Sequence, residues 1–314
     1  MRYLTVTLNP AIDLVGLASQ LVIGEVNKIQ TQGSTPAGKG INVAQILKLF
    51  DCDVTATGFL GEENAQIFEH FLQQKGIPQT FIKVPGKTRT NIKITVQQET
   101  TDFNFSGFSV SEKAWQTLVT ASQNWSKEYD FVIISGSLPQ GITPNMFSDW
   151  CHSLTSQKLR WALDTSGEAL QAGISAKPFL VKPNQEELRG LDVNGRKSTS
   201  LENDFLVAKE LCHQGIQQVL LSCGAQGAYL IDASKEDILH ARGFCNKVVS
   251  TVGAGDSLLA TYLAQLGFSH SPIDGLKMAT AVSSLIVEQA TSLSWTPEAL
   301  NMRLEEIICQ KIKL

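Results

Sequence analysis

A glycine-rich segment, Thr251-Val-Gly-Ala-Gly-Asp-Ser257, precedes a predicted helix that begins at Asp256. Glycines allow a ligand to approach the backbone closely, and the free amides of a helix start, together with the helix dipole, attract an anion. A phosphoryl group whose negative charge spreads during reaction suits such a site. Asp256 lies beside it, where a carboxylate can accept a hydroxyl proton. The alternative is a structural turn in which Asp256 only caps the helix.

A second turn, Gly33-Ser-Thr-Pro-Ala-Gly-Lys-Gly40, nearly matches the P-loop pattern of phosphate-binding enzymes. The match fails because Gly40 stands where a P-loop has the hydroxyl that binds Mg²⁺, and because the preceding residues are too polar for a buried strand. The turn nevertheless opens a predicted helix over residues 41–50. Lys39 and the free amides of that helix start could hold an anion or a polyol. A purely structural turn is the alternative.

Three further turns follow apolar segments that predict strands. In Lys182-Pro-Asn-Gln-Glu-Glu187, Asn184 and Glu187 could position a hydrated Mg²⁺, although a capped helix with surface carboxylates explains them as well. The other two turns are Ser222-Cys-Gly-Ala-Gln-Gly227 and Ser135-Gly-Ser-Leu-Pro139. The serine-hydrolase pattern G-x-S-x-G is absent, so Ser137 is interpreted as a hydrogen-bonding group. Since open α/β sheets bind ligands at the carboxyl ends of their strands, these turns together predict a nucleotide and phosphate site.

The composition excludes several classes of protein. The 314 residues carry 26 basic and 30 acidic side chains, and the pI of about 5.8 argues against a nucleic-acid partner. No apolar run is long enough for a membrane span. The six cysteines are widely separated, so we expect reduced thiols rather than disulfides or a zinc site. Because Met1 opens directly into a strand-like segment without a signal peptide, we expect a cytoplasmic protein.

Strand-like and helix-like segments alternate along most of the chain. Apolar runs predict strands at residues 3–8, 53–59, 131–135, 159–163, 179–181 and 219–222. Helical spacing of apolar residues predicts helices at 41–50, 65–74, 112–124, 144–156, 205–214, 256–266, 276–288 and 297–310. Strands separated by helices of this length predict an α/β fold with a mostly parallel central sheet and helices on both faces.

Residues 15–35 and 87–108 break this alternation. Both stretches are extended and polar, and neither contains a good helix. A small antiparallel sheet, with one face exposed or covering a ligand, explains them best. No linker or low-complexity segment separates them from the rest, so residues 1–314 are interpreted as a single domain with a small β-sheet lid.

Four motifs occur in the order seen in ribokinase-like sugar kinases, and the chain resembles their phosphofructokinase B branch. The motifs are TLNPAID at 7–13, AGKGIN at 37–42, KPNQEE at 182–187 and GAGD at 253–256. Four further segments are similar to the members of that branch that phosphorylate fructose 1-phosphate: GEVN at 24–27, RTN at 89–91, TDFNFSG at 101–107 and VSTVGAGD at 249–256. The resemblance covers essentially the whole chain. It implies a three-layer α/β/α fold and a β lid that often forms a homodimer contact.

The resemblance also implies that ATP phosphorylates the 6-hydroxyl of fructose 1-phosphate to give fructose 1,6-bisphosphate. Asp256 would be the base, and the amides of Gly253, Ala254 and Gly255 would form the anion hole. The other implied residues divide by ligand. Asp13, Gly38, Lys39 and Asn42 would hold sugar hydroxyls, with Arg89, Asn104 and Ser137 near the sugar or its phosphate. Lys182, Asn184, Ser222, Gly224, Gly227, Thr251, Thr280 and Ser284 would line the ATP site, and Asn184 with Glu187 would organise Mg²⁺.

Two departures from the family pattern affect the expected substrate. Ala37 replaces the first of two adjacent glycines, which lowers the backbone freedom of that residue. Asn27 and Asn104 are neutral in regions where relatives that use fructose 6-phosphate tend to carry basic residues. Their neutrality disfavours fructose 6-phosphate and leaves tagatose 6-phosphate open. A kinase for either sugar is the alternative enzyme, and an inactive sugar-phosphate sensor that binds a partner protein is the alternative of another class.

Overall fold

A computed structural model of the chain describes residues 1–97, 99–191, 200–245, 247–289 and 293–313. Its strands are β1 (Arg2–Thr7), β2 (Ala11–Leu17), β3 (Gln30–Ala37), β4 (Asp53–Gly61), β5 (Ile82–Val84), β6 (Arg89–Val96), β7 (Glu99–Asn104), β8 (Phe131–Ser135), β9 (Trp161–Asp164), β10 (Leu180–Val181), β11 (Gln218–Ser222), β12 (Ala228–Asp232), β13 (Ile238–Arg242) and β14 (Ile308–Ile312). Its helices are α1 (Lys39–Leu49), α2 (Ala65–Gln74), α3 (Glu112–Ser122), α4 (Trp125–Glu128), α5 (Pro144–Ser156), α6 (Gly167–Ile174), α7 (Gln185–Gly190), α8 (Leu201–His213), α9 (Ala254–Gly267), α10 (Pro272–Val287) and α11 (Pro297–Glu306).

The strands form two sheets. In the part of the chain that the structure describes, the large sheet has ten strands in the order β14-β13-β12-β11-β10-β9-β8-β1-β4-β5. Neighbouring strands from β11 to β5 run parallel, and those from β11 to β14 run antiparallel. The alternating strands and helices predicted from the sequence form the parallel part, so the predicted α/β fold is confirmed.

Helices cover the large sheet on both faces. Leu4 and Val6 of β1 belong to the core on the face covered by α3, α5 and α8, whereas Tyr3 belongs to the core formed with α1, α2, α9 and α10. Strand β8 divides in the same way and is buried along its whole length. Parallel strands buried on both faces form continuous apolar runs, which is why these segments were recognisable in the sequence. The result is the predicted three-layer α/β/α arrangement.

The small sheet is formed by β3, β2, β6 and β7, in that order. These strands come from the two polar stretches that break the alternation, one residue of which, Gln98, lies outside the described residues. The pairs β2–β3 and β6–β7 are antiparallel, but the central pair β2–β6 is parallel. The expectation of a wholly antiparallel sheet is therefore wrong at its centre. Parallel pairing is possible there because a long connection, which includes α1, β4 and α2, separates the two strands.

The C-terminal segment also differs from the prediction. Helix α11 ends at Glu306, and the next residues, predicted as helix to residue 310, form β14 on the edge of the large sheet beside β13. A short segment with mixed apolar spacing does not distinguish a helix from an edge strand, and pairing with β13 decides between them. In the described parts of the chain, no helix has the length and apolar character needed to cross a membrane.

Candidate functional site

A cavity of about 910 Å³ lies where the carboxyl ends of the parallel strands meet the small sheet. Of the residues assigned to the site from the sequence, all except Asn104 line this cavity. They are Asp13, Gly38, Lys39, Asn42, Arg89, Ser137, Lys182, Asn184, Glu187, Ser222, Gly224, Gly227, Thr251, Gly253, Ala254, Gly255, Asp256, Thr280 and Ser284. Residues spread over most of the sequence are thus brought to one place by the strand order.

The start of α9 borders the cavity. Gly253 precedes the helix with a φ of +79°, in the left-handed region that favours glycine. A side chain there would also contact Leu293. The amides of the first helical turn lack intrahelical acceptors, although the amide of Ala254 donates a long bond of 3.3 Å to the carbonyl of Thr251. This backbone has the form of an anion site.

Asp256 lies in the first turn of α9 and is only 6% exposed. Its Oδ2 accepts a hydrogen bond of 2.7 Å from the side-chain amide of Asn42 on α1. Burial, reinforced by the negative charge of Asp164, raises the pKa of Asp256 to about 6, and the bond from Asn42 opposes that rise. Asp256 is therefore a carboxylate of increased basicity that borders the cavity, which is the property required of a general base near neutral pH.

Two lysines on the cavity floor meet at one buried carboxylate that is not itself part of the lining. Lys39 Nζ and Lys182 Nζ lie 3.0 and 3.2 Å from the same oxygen, Oδ1 of Asp164, which is the last residue of β9 and is fully buried. Burial alone would raise the pKa of Asp164, but the two ammonium groups lower it overall. Likewise, burial alone would lower the pKa of Lys39, but the negative charges of Asp164 and Asp256 raise it overall. The Asp164 carboxylate and the Lys39 ammonium group are thus held in their charged forms.

Asn184 and Glu187 form a capping box at the start of α7. The Glu187 amide donates to Asn184 Oδ1 at 2.7 Å, and the Asn184 amide donates to Glu187 Oε2 at 2.8 Å. The structural interpretation of these residues is therefore correct, but both also line the cavity. Among the described residues no group of three His, Cys, Asp or Glu side chains forms a complete metal cage. Mg²⁺ commonly uses one or two carboxylates plus substrate phosphates, so this donor set fits it.

The small sheet contributes polar side chains from β2 and β6. Asp13 on β2 accepts hydrogen bonds from Lys93 at 2.7 Å and Asn91 at 3.3 Å. Arg89, the first residue of β6, donates three long bonds of 3.4 Å to the backbone carbonyls of Asn9, Pro10 and Phe105. Burial lowers the pKa of Arg89. Its guanidinium is half-buried, only weakly bonded and open to the cavity.

Another part of the cavity lining is the turn after β11. Gly227 has a φ of +88°, and a β-carbon there would collide with the carbonyl of Ala241, so the turn requires glycine. Thr280 on α10 is buried, and its hydroxyl has no hydrogen-bond partner among the described residues. Because an unbonded buried hydroxyl is costly and Thr280 lines the cavity, this part of the cavity is suited to a polar ligand.

Of the three positions that departed from the family pattern, only Ala37 lines the cavity. Asn104 is exposed at the end of β7 and does not line the cavity, so its predicted place beside the sugar is not found. Asn27 instead closes the loop between β2 and β3, where it accepts from the amide of Val22 and donates to its carbonyl. Ala37 ends β3 in an ordinary strand conformation, and the unusual φ of +140° falls on Gly38. Replacement of the first glycine by Ala37 is therefore compatible with the turn.

Several residues in or next to the cavity lining were not assigned from the sequence. Asp164 lies behind the lining; it follows a predicted strand, and the turn after it contains Gly167, so the strand-end rule applied to the other turns would have found it. Asn91 and Lys93 continue the period-two pattern that begins at Arg89, and that pattern places all three on one face of β6. The pairing of Asp13 with Lys93 depends on the register of β2 against β6, which the sequence does not give.

The known proteins that this chain resembles are carbohydrate kinases. Residues 4–298 match the family model described as pfkB family carbohydrate kinase. The chain is 43% identical over 288 residues to a 1-phosphofructokinase of Haemophilus influenzae, covering 91% of each chain. It is 45% identical over 290 residues to a 1-phosphofructokinase of Escherichia coli strain K12, covering 92% of each.

Solved structures share the fold. Phosphofructokinase-2 from Escherichia coli, in complex with substrates and products, superposes with a TM-score of 0.88 at 26% identity and covers 97% of this chain and 99% of its own. A ribokinase of Arabidopsis thaliana, complexed with ribose and ATP, superposes with a TM-score of 0.75 at 18% identity. At that identity the ribokinase supports the fold alone.

Proposed function

The chain belongs to the pfkB family of carbohydrate kinases, and we propose that it uses ATP to phosphorylate the 6-hydroxyl of fructose 1-phosphate, forming fructose 1,6-bisphosphate and ADP. The observation that carries this proposal is the position of Asp256, a basic carboxylate at a helix start inside the cavity. The relatives named 1-phosphofructokinase support the choice of sugar.

In the proposed reaction the 6-hydroxyl oxygen bonds to the γ-phosphorus of ATP, the bond from that phosphorus to the β–γ bridging oxygen breaks, and ADP leaves. The hydroxyl proton passes to Asp256. Its pKa of about 6 leaves the carboxylate mostly ionised at neutral pH. Because such transition states are loose, Asp256 orients the hydroxyl first and accepts the proton late. The amides of Gly253, Ala254 and Gly255 stabilise the charge on the transferred group.

The sugar phosphate is proposed to lie between the small sheet and α1. Asp13, Gly38, Lys39 and Asn42 would bind its hydroxyls, and Arg89 and Ser137 its phosphate. Arg89 supports this assignment because its long backbone bonds can be exchanged for a charged, two-pronged contact with phosphate. Asn104 is omitted because it lies outside the cavity.

ATP is proposed to occupy the end of the cavity opposite the sugar. Lys182, Asn184 and Thr251 would face its phosphates, and the glycine turn and α10 its nucleoside: Ser222, Gly224, Gly227, Thr280 and Ser284. Glu187 and Asn184 would hold Mg²⁺, which would neutralise phosphate charge when bound. Both are fixed by their mutual hydrogen bonds, so their side chains are already oriented before any ligand arrives.

We further propose that the small sheet is both a lid over the sugar and the contact of a homodimer. One of its faces lines the cavity, and the loop between β2 and β3 carries two almost fully exposed apolar side chains, Ile23 at 99% and Val26 at 95%. Leu17 and Phe103 add exposed apolar surface on the sheet itself. A cluster of this kind is typical of an interface, and a second copy of this chain is its proposed partner.

A cytoplasmic location completes the proposal. The reaction consumes ATP, and the six cysteines are free thiols, four of them buried. Free thiols of this kind are usual in a reducing compartment.

A substrate panel at fixed, saturating ATP tests the proposed activity. We expect kcat/KM for fructose 1-phosphate to exceed the values for fructose 6-phosphate and tagatose 6-phosphate by at least about tenfold, a difference of about 1.4 kcal/mol in transition-state binding. A higher value for either other sugar would replace the proposed substrate. Product analysis should identify fructose 1,6-bisphosphate.

Sugar-dependent release of ADP separates a kinase from an inactive sensor. A coupled assay should show turnover that requires the sugar phosphate, because a closed lid excludes water from the transferred group. Tight sugar binding without ADP release would indicate the sensor, and equally fast ATP hydrolysis without sugar would contradict the role of the lid.

A further inference from the structure

The geometry points to Asp164 as a positioning residue for the proposed phosphoryl transfer: it fixes Lys182 beside the first turn of α9 and Lys39 at the start of α1. This inference rests on the proposed function. Its basis is the unusual sharing of a single carboxylate oxygen, Oδ1, by two ammonium groups at 3.0 and 3.2 Å. Two like charges so close together repel each other, and the carboxylate between them offsets that repulsion.

Both lysines lie where the reacting groups are proposed to meet. Lys182 Nζ would lie 3.3 Å from a β-carbon at Gly255, so it touches the first turn of α9. Lys39 begins α1, the helix that also carries Asn42, the hydrogen-bond donor to Asp256. Asp164 therefore connects the proposed sugar side of the cavity to the proposed nucleotide side through one carboxylate.

Burial makes this arrangement rigid. The side chain of Asp164 is fully buried and that of Lys182 is 5% exposed, so neither charge is stabilised by bulk water. Removing one partner of a buried ion pair leaves an uncompensated charge, which is more harmful than removing an exposed pair. The second oxygen of Asp164, Oδ2, has no hydrogen-bond partner among the described residues, so the lysines supply the contacts that hold this carboxylate.

Asp164 also acts on Asp256 through its charge. The charged groups that face Asp256 are Lys39 on α1, Lys182 after β10 and Asp164 at the end of β9. Of these, Asp164 alone raises the pKa of Asp256, in addition to burial, while the lysines lower it. The carboxylate thus has two effects that one substitution should remove together: the placement of the lysines and part of the basicity of Asp256.

The experiment compares Asp164→Asn with the matched control Asp204→Asn. Asp204 is equally buried and bonds to Arg189 and Gln185 outside the cavity lining. Asp164→Asn should lower kcat/KM for fructose 1-phosphate by about 10²-fold, because small displacements of positioning groups have effects of that size. It should also move the acidic limb of the kcat/KM profile to lower pH. The control should leave that limb in place.

Two results would overturn the inference. The first is a wild-type rate and pH profile in Asp164→Asn. The second is full restoration of its activity by raised Mg²⁺, which would make Asp164 a metal-holding group. Wild-type enzyme that fails to phosphorylate fructose 1-phosphate would instead contradict the proposed function, so the two failures are distinguishable.

A double variant decides the question if Asp164→Asn alone fails to fold. This double variant combines Asp164→Asn with Lys182→Met. It therefore removes one buried cation along with the buried anion. If Asp164 acts through both lysines, the double variant should be less active than Lys182→Met by a factor smaller than the ~10²-fold expected for Asp164→Asn, because only Lys39 is then left for the carboxylate to position. A further loss equal to that expected for the single change would show independent action and overturn the inference.

Discussion

The floor of the cavity and the small sheet that covers it are built differently. On the floor, at the strand ends and helix starts, Asp164, Lys182 and Asp256 are buried and bonded to one another or to α1. On the small sheet, Asp13 and Arg89 are only partly buried, and the surface away from the cavity exposes apolar side chains. The floor combines fixed charges with nearly complete burial, whereas on the small sheet Arg89 makes only long hydrogen bonds, although Lys93 holds Asp13 at 2.7 Å.

This difference separates two tasks. Buried, fixed charges stabilise a transition state without reorganisation, which suits the floor to phosphoryl transfer. Partly exposed groups with long hydrogen bonds can rearrange around a substrate, which suits the small sheet to recognition and closure. Changes on the floor should therefore reduce turnover, and changes on the small sheet should reduce affinity or alter assembly.

The largest effect is expected from Asp256→Asn on the floor. It should lower kcat by at least about 10²-fold, the lower range for loss of a general base, with little change in KM for ATP. The measurement is steady-state kinetics with fructose 1-phosphate. Retention of turnover within tenfold of the wild type would remove Asp256 from this role.

Thermal unfolding provides the control for that variant. The pKa of Asp256 is raised from 3.8 in the unfolded chain to about 6 in the fold, so its ionisation opposes folding as the pH rises through this interval. Above pH 6 the ionised carboxylate lowers the free energy of unfolding by its full amount. Asp256→Asn should therefore have a Tm at pH 7 equal to or above that of the wild type, which excludes unfolding as the cause of lost turnover.

The pH dependence of the wild-type enzyme should show the raised pKa of Asp256 on the floor. Burial, with the charge of Asp164, places the pKa of Asp256 near 6, and the protonated form cannot accept the hydroxyl proton. We expect kcat/KM to fall below pH 6 and to be about tenfold lower at pH 5 than at pH 7. The limb should be absent from the residual activity of Asp256→Asn. A limb centred near pH 4 would contradict the raised pKa.

A smaller effect is expected from Arg89→Lys on the small sheet. Lysine keeps the positive charge but loses the two-pronged contact with phosphate, so KM for fructose 1-phosphate should rise about fivefold, or about 1 kcal/mol. KM for ATP should not change. Arg160→Lys is the matched control, because Arg160 lies over the rings of Phe131 and Phe179 and is not part of the cavity lining. An increase confined to ATP would assign Arg89 to the other ligand.

The smallest effect on turnover is expected from the exposed loop of the small sheet. Ile23→Lys combined with Val26→Lys should dissociate the proposed dimer, as measured by sedimentation, and change kcat by less than about twofold because neither residue lines the cavity. Met302→Lys, an equally apolar exposed position on α11, should leave the assembly intact. A monomeric wild type, or a dimer that survives the double change, would contradict this interface.

The sequence predicted the parallel part of the fold because strands buried on both faces leave uninterrupted apolar runs, as in β8. It was less successful at the edges. Segments such as β14 are short and half-exposed, and their pattern is compatible with either secondary structure until a neighbouring strand pairs with them. The parallel pairing of β2 with β6 was missed for the same reason, because the sequence of a strand does not reveal the direction of the strand that pairs with it.

Local chemistry was determined by the sequence alone: glycines where φ is positive, an aspartate in the first turn of α9, and a capping box at Asn184 and Glu187. These features depend on neighbours within a few residues, so local rules identify them. Only the tertiary structure decided that Asp164 would bind two lysines, that Lys93 would pair with Asp13, and that Asn104 would lie outside the cavity. Each of these depends on strand order and register, because electrostatic contacts act across space between residues that are far apart in the chain.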